Sequence, residues 1–269
     1  MARCTLCGGL LNPFASGVVL ERQEVSYQRC ASCLSIFLPE PDWLDEAYSE
    51  AISALDIGLL ERCLQLANIA TAIISSERIR DGRFLDFAGG YGTLTRLMRD
   101  RGLDFRHLDP LCTNMFAVGH EGTLEEHYDL VTAFEVLEHL PDPVASLEPL
   151  ARSSDVLLLT TQVLPEPAPR PGEWDYFAPE TGQHVTFYTV AGLRALAERL
   201  GMGLTTSGRL VHVFHRGPLR RSTRALLKDE RLAYVVGAVR SEVDRRRGLT
   251  LADHEAAAAR LQDHRRDSS

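Results

Sequence analysis

The sequence predicts an α/β protein: a mainly parallel sheet with helices on both faces, preceded by a small metal-binding module. Three observations carry that expectation. From Arg83 onward, short apolar runs alternate with amphipathic segments, the pattern of β–α units feeding a parallel sheet. A glycine-rich turn, AGGYG, directly follows the first of these runs, and such a strand-to-helix turn lets a ligand approach the backbone. Two C-x2-C pairs, Cys4/Cys7 and Cys30/Cys33, open the chain, and paired spacing of this kind places four thiolates around one zinc ion.

Length and composition agree. The 269 residues have room for one large α/β domain and a small appendage. With 45% apolar and 25% charged residues the chain reads as globular. A formal net charge of −8 argues against a generic nucleic-acid binder. No apolar run approaches membrane-spanning length, and MARCTLCGG lacks the apolar segment of a signal peptide. A cytoplasmic location without a membrane partner is therefore expected.

Residues 1–40 form the zinc-binding module. Four cysteines leave no coordination position open, so the zinc is structural and folds a segment too short for a core of its own. The pieces GVVL and VSYQRC between the pairs predict a short hairpin. A disulfide framework is the alternative, disfavoured in a cytoplasmic chain. Cys63 and Cys112 stand alone and read as buried, inert thiols.

Residues 41–80 read as a helical linker or lid. Prolines in LPEPDWLDEAYSE mark the joint. Ile52, Leu55, Leu59, Leu60, Cys63, Leu64, Leu66, Ile69, Ile73 and Ile74 keep a helical period. This is one long helix or two shorter ones broken at Gly58, covering the mouth of the next domain or packing on its sheet.

Residues 81–217 supply the main domain. RFLDF is the first strand, and Leu94, Leu97 and Met98 give the following helix its apolar face. FRHLD, MFAVG, DLVTAF and DVLLLTT are the next strands, MFAVG the weakest. VAGLRALAERLG is a helix, and GLTTSG and RLVHVFH pair antiparallel through a turn at Ser207 and Gly208. Asp109 ends the second strand about twenty residues after Gly90, where an acidic side chain accepts hydrogen bonds from ribose hydroxyls. A turn residue before Pro110 explains it equally well.

The assembly D-x-A-G-G-x-G, LDP and YDLVTAFEVLEHLPDP resembles the class I S-adenosylmethionine-dependent methyltransferases over about residues 83–215. The resemblance implies a seven-stranded Rossmann-like sheet with its last strand antiparallel, and S-adenosylmethionine as cofactor. It implies that Asp86, Ala88, Gly90 and Gly92 surround the methionine part, that Asp109 holds the ribose, and that Phe134 and Glu135 lie near the cofactor or substrate edge. Ala88 stands where that family usually has its first glycine. A dinucleotide dehydrogenase is the alternative for the turn alone, and EVLEHLPDP speaks against it.

With its four-cysteine module, the chain resembles the sugar C-methyltransferases of deoxysugar pathways and methyltransferases of polysaccharide and natural-product clusters. Their E-H-x-x-Y-F-S segment corresponds to GQHVTFYT, with Gln183 in place of the glutamate and His184, Phe187 and Tyr188 as matches. Glu135, Glu138 and His139 also resemble the E-x-x-E-H ligands of two metal-dependent O-methyltransferase groups, the small-RNA 2′-O-methyltransferases and the ubiquinone-pathway enzymes. That resemblance implies a second divalent metal held by Glu135, Glu138, His139 and a later histidine, for which His184 is the candidate. Such a mixed oxygen and nitrogen set suits magnesium, manganese, iron or zinc, and coordination makes a hydroxyl nucleophilic. Without a metal, the carboxylates serve backbone amides and a helix start, His139 packs on the sheet, and His184 or His139 is a general base.

The loop LPEPAPRPGEWDYFAPETGQH is long and proline-rich, and at the carboxyl end of a parallel sheet it faces the ligand crevice. Trp174, Tyr176 and Phe177 offer a substrate wall or anchor the loop; Tyr91 and Tyr188 are further substrate-side candidates. Residues 218–269 form a helical tail. From Arg216 onward, thirteen basic residues stand against eight acidic ones. Leu232, Val235, Val236, Val239 and Val243 share a helical face, for a homodimer or a lid on the core. Arg245 to Arg247 meet an anionic nucleotide-sugar or RNA, or form a solvated face.

The resulting expectation is methyl transfer from S-adenosylmethionine to a small-molecule acceptor, a hydroxyl of a sugar or natural-product intermediate. C-methylation of a keto-deoxysugar with His184 as base is one alternative. A non-catalytic zinc module that binds RNA or protein is another, with Ala88 as its support.

Overall fold

The computed structural model describes residues 2–48, 56–244 and 248–267. The expected helical positions Ile52 and Leu55, and the basic run Arg245 to Arg247, lie outside the described residues. Along the chain, β1 (Leu11–Val19) and β2 (Gln23–Cys30) form the expected hairpin, followed by β3 (Ile36–Phe37), α1 (Leu44–Ala47) and α2 (Leu59–Glu77). The main domain continues with β4 (Arg83–Phe87), α3 (Thr93–Arg99), β5 (Asp104–Leu108), β6 (Leu130–Phe134), α4 (Pro143–Ser153) and β7 (Val156–Thr160). It closes with β8 (Thr186–Phe187), α5 (Val190–Arg199), β9 (Gly203–Thr206) and β10 (Val211–His215), and the helices α6 (Arg221–Leu226), α7 (Glu230–Asp244) and α8 (Thr250–Asp267) follow.

The central sheet runs in the order β5-β4-β6-β7-β10-β9. The first four strands are parallel, and β10 is antiparallel to both β7 and β9. Among the described residues it has six strands where seven were expected. MFAVG is the missing one. Its amides at Met115 and Phe116 both donate to the carbonyl of Tyr91, which wraps the segment over the glycine turn. Met115, Phe116 and Val118 remain exposed, so the segment lacks the burial that would make it a strand. The single bridge His107 to Glu121 is all that extends the sheet there.

Successive strand residues point to opposite faces, so the two faces build separate cores. Phe84, Phe105, Leu130, Leu158 and Val213 face α2, α3, α6 and α7 through residues such as Ile69, Ile73, Met98 and Leu226. Leu85, Val131, Leu157, Leu159 and Phe214 face α4 and α5 through Leu147, Leu150, Leu193 and Leu196. Helix starts are locally encoded. Asp142 accepts from the Ala145 amide, with Pro143 opening α4, and Thr189 accepts from the Gly192 amide to open α5.

Gly58 precedes α2, where the two-helix alternative placed a break; α2 packs on the sheet, and both its residues Arg62 and Cys63 and the short α1 border the crevice. β3 pairs with β8, so the N-terminal hairpin is part of a second sheet β1-β2-β3-β8. The C-terminal helices are docked as well. Ala233 and Val236 of α7 join the α2-side core, and Asp253 of α8 sits among Arg96, Arg99 and His120.

Candidate active site and cysteine centre

The crevice is built at the carboxyl ends of β4, β5 and β6. The chain leaves β4 through Ala88 at φ 54° and leaves β6 through Glu135 at φ 53°. Two non-glycine residues in the left-handed region, at the ends of adjacent strands, mark a backbone shaped by its site. Gly89 is required for another reason. A Cβ there would lie inside contact of the Asp86 carboxylate and 2.9 Å from His107 Nδ1. Asp86 is buried beneath the turn, where it accepts from Thr132 Oγ1 at 2.8 Å and Thr95 Oγ1 at 3.2 Å. Burial raises its pKa to about 7, against the lowering effect of those hydrogen bonds. Asp109 accepts from the Gly90 amide at 2.8 Å and from the Leu111 and Cys112 amides at 2.7 Å each. It is thus the turn residue before Pro110, and one of a carboxylate's roughly four acceptor sites stays available to a ligand.

Two cavities meet at this turn. The larger, about 400 Å³, is bounded by Ala88, Gly90, Asp109, Glu135 and His139, with Leu44, Asp45 and Tyr48 across from them. The smaller, about 80 Å³, lies among Arg62, Cys63, Asp86, Gly89, Phe134 and Glu135. Ala88 and Glu135 border both. The N-terminal residues Leu44, Asp45, Tyr48 and Arg62 are contributions that the sequence reading missed. Helical periodicity locates α2, but Arg62 falls between its apolar positions. The remaining three lie on or beside a four-residue helix, too short to show a period. Cys63 and Cys112 are half-buried and border these cavities, which corrects the expectation that they are core thiols.

Beside the larger cavity, the 3-10 turn Leu137–His139 brings Glu138 and His139 against His184. One ligand atom from each lies within 4.8 Å of the others. The group is three residues; Glu135, expected as a fourth, stands apart and faces the two cavities. Glu138 Oε2 and His139 Nδ1 are buried without hydrogen-bond partners. His184 Nδ1 lies 2.7 Å from the Tyr176 carbonyl oxygen. A carbonyl only accepts, so Nδ1 carries the proton and Nε2 keeps its lone pair. The Tyr176 hydroxyl donates to Glu138 Oε1. Burial raises the Glu138 carboxyl to about 7, and burial with repulsion from Glu138 raises Glu135 to about 7. Burial, then the neighbouring His184, lowers His139 to about 3, and burial lowers His184. Two imidazoles and one carboxylate, with unpartnered atoms on Glu138 and His139, match the mixed oxygen and nitrogen donor set that divalent cations take.

A methyltransferase-domain family matches residues 62–206, more than half of the chain. The chain belongs to that family. The glycine turn, Asp109 and Glu135 lie inside the matched span. No curated protein sequence matches the chain. Among solved structures, CalO1, a methyltransferase in calicheamicin biosynthesis in its SAH-bound form, is 19% identical over 56% of this chain and 54% of that one, with a TM-score of 0.38. The mitomycin 7-O-methyltransferase MmcR is 16% identical over 64% of this chain and 60% of that one, TM-score 0.46. Magnesium protoporphyrin IX methyltransferase from Synechocystis, with bound SAM, is 18% identical over 64% and 88%, TM-score 0.39. The methyltransferase spans less than two thirds of the length of the first two.

Several substrate-side expectations are corrected. Tyr188 is fully buried, and its hydroxyl donates to the Leu137 carbonyl at 2.7 Å. Tyr176 and Phe177 are buried against Tyr27 and Phe187 of the N-terminal sheet, and Trp174 packs on the same cluster. Trp174 and Phe177 anchor the long loop on Tyr27 and Phe187, while Tyr176 also reaches the cluster through its hydroxyl on Glu138 and its ring against His184. Tyr91 is exposed on the turn, its carbonyl holding the Met115 and Phe116 amides.

The four cysteines of the methyltransferase converge as expected. Cys4 Sγ lies 3.7 Å from Cys33 Sγ, and Cys7 Sγ lies 3.5 Å from Cys30 Sγ. All four sulfurs are within 4.8 Å of one another. Thiolates about 2.3 Å from a central zinc form a tetrahedron with edges of about 3.8 Å. The observed spacings fit that tetrahedron and exceed a disulfide bond length of about 2 Å. The amides of Ser32 and Cys33 point at Cys30 Sγ at 3.4 and 3.5 Å, as donors to a metal-bound thiolate do.

Proposed function

We propose that this methyltransferase methylates a hydroxyl of a small molecule, a sugar or other natural-product intermediate, with a divalent metal held by Glu138, His139 and His184. One observation carries the reading: Glu138, His139 and His184 converge at the wall of the cavity that holds Gly90 and Asp109, and Glu138 Oε2 and His139 Nδ1 are buried and unpartnered. S-adenosylmethionine, when bound, supplies a methyl group on a positively charged sulfur. A divalent metal, when bound, supplies charge that stabilises the acceptor's alkoxide.

The chain's own residues do the rest. Asp109 offers its remaining acceptor position to a ribose hydroxyl, and Arg62, at the rim of the smaller cavity, meets the cofactor's carboxylate. Glu135 lies between the two cavities with Oε1 buried and unpartnered; it takes the proton leaving the acceptor hydroxyl. Leu44, Tyr48 and Leu140 exclude water and pack on the acceptor's apolar face. In the N-terminal centre, Cys4, Cys7, Cys30 and Cys33 hold a structural zinc. On α7, Leu232, Val235, Val239 and Val243 present an exposed apolar stripe, which we assign to pairing with a second copy.

The test is a manganese titration of the full-length protein, followed by electron paramagnetic resonance. The wild type takes up one exchangeable ion; Glu138→Gln and His184→Ala do not, while both still bind S-adenosylhomocysteine. Equal manganese uptake by all three proteins rejects the assignment. If none takes up manganese, the metal is rejected and C-methylation with His184 as base becomes the reading to pursue.

A further inference from the structure

We infer that the four-cysteine module is the mechanical support of the catalytic cluster, so that zinc occupancy sets the position of His184 and of the group that orients Glu138. This rests on the proposed function for what the cluster does, but the contacts themselves are independent of it.

Residues 176–189 form a turn-rich segment held from two sides. On one side the 3-10 turn grips them: the Val185 amide donates to the Glu138 carbonyl at 2.8 Å, and Thr186 Oγ1 donates to the Leu140 carbonyl at 2.9 Å. On the other side the main domain holds its two ends, through the Gln162 amide on the Tyr176 hydroxyl at 3.0 Å and the Leu164 amide on the Tyr188 carbonyl at 2.7 Å, and the N-terminal module holds the stretch around His184. β8 is a two-residue strand whose sheet partner is β3. The Leu38 amide donates to the Val185 carbonyl at 2.8 Å. Thr189 Oγ1 donates to the carbonyl of the zinc-ligand candidate Cys33, and the Thr189 amide donates to Ser35 Oγ at 3.2 Å.

Both outer groups of the cluster lead to the same support. Tyr176 fixes the His184 tautomer through its carbonyl and holds Glu138 through its hydroxyl. Its neighbour Phe177 is clamped edge-on by Tyr27, at 5.3 Å between ring centroids, and packs on Phe187 at 4.6 Å. Tyr27 lies on β2, the strand that ends at Cys30. Tyr27, Val25 and Val19 of the hairpin are buried with this loop, while Cys30 of β2 joins the core on the α4–α5 side. Zinc at Cys30 and Cys33, at the turn between β2 and β3, adds the constraint that makes these two strands a rigid edge. Partners that orient a metal ligand typically change metal affinity by roughly ten- to a hundredfold, and here those partners belong to the loop that the module holds.

The experiment compares zinc-loaded full-length protein with the same protein stripped by chelator, using amide hydrogen exchange. The inference expects the Leu38 and Val185 amides to lose protection on stripping. Sheet amides such as those of Phe84 and Val131 keep theirs, and S-adenosylhomocysteine affinity changes less than threefold. Manganese affinity at the cluster falls at least tenfold. Tyr27→Ala reproduces these effects with zinc bound, and Tyr27→Phe does not, since the Tyr27 hydroxyl has no partner. Unchanged exchange at Val185 after stripping overturns the inference. So does loss of protection throughout the sheet, which makes zinc a global staple, and so does a purified protein without zinc. If the zinc-loaded protein binds no manganese, the proposed function fails, while the exchange data still decide this inference.

Discussion

Gly89→Ala tests the proposed cofactor cradle most sharply. The added methyl would fall inside contact of the Asp86 carboxylate, 2.8 Å from its Cγ and 2.9 Å from His107 Nδ1. Neither neighbour yields easily. Asp86 is tied to Thr132 and Thr95, and His107 is 3% exposed. Rotating the carboxylate away breaks those bonds, so the turn moves outward, into the space that Gly90 and Asp109 frame. Overpacking of this kind costs about 1–3 kcal/mol. Taken wholly from the cofactor-bound state, that is about a 5- to 140-fold loss of affinity. Isothermal titration with S-adenosylhomocysteine reads it, with thermal unfolding as the check on the fold. Gly208→Ala is the control: its φ is 79° with nothing near the added Cβ, so it strains a distant turn and leaves binding unchanged. Affinity of Gly89→Ala within twofold of the wild type, with the fold intact, refutes the placement of the cofactor above this turn.

Other consequences follow from the same contacts. Asp109→Ala removes the acceptor from three amides at once, and S-adenosylhomocysteine titration should show at least a tenfold loss, in line with about 1.5–3 kcal/mol for hydrogen bonds to a charged group. Asp253 pairs with Arg99 and Arg96, and those interactions lower its pKa from 3.8 to about 2 despite the opposing effect of burial. At about 1.4 kcal/mol per unit the linkage amounts to about 2 kcal/mol. Because the folded-state pKa is the lower one, this stabilisation is complete above about pH 4 and disappears as pH falls through about 2. Urea unfolding should show Asp253→Asn less stable than wild type at pH 6, with the two converging toward pH 2. Val239→Asp places a charge in the α7 stripe, where Val239 is 61% exposed; light scattering should show a dimer becoming a monomer with the fold unchanged.

Much of the fold was written in patterns that survive burial. RFLDF, DLVTAF and DVLLLTT are continuous apolar runs because both faces of their sheet are covered, and all three became strands of the central sheet. The cysteine spacing and the pieces between the pairs gave the hairpin and the cluster. EVLEHL placed Glu138 and His139 together, and the histidine after the aromatic loop joined them. The site's other wall was not legible. Leu44 and Tyr48 reach the cavity from an element of one turn, which has no period to read. The aromatic residues around Trp174 have the composition of either a substrate wall or an anchor, and only the hairpin's apolar face decided between them. MFAVG reads as a strand, yet the Tyr91 carbonyl captured its amides first. The pair of Arg99 with Asp253 lies far apart in the sequence, and only the fold brings the two together.

The central claim is that Glu138, His139 and His184 hold a metal at the wall of the cofactor cavity. A crystal of the full-length protein grown with manganese and S-adenosylhomocysteine tests it directly, through anomalous scattering at the manganese edge. The account predicts one manganese peak within coordination distance of those three side chains, with the cofactor product bound beside Gly90 and Asp109. A map with no manganese peak between Glu138 and the two histidines, and the same cofactor product in place, contradicts it.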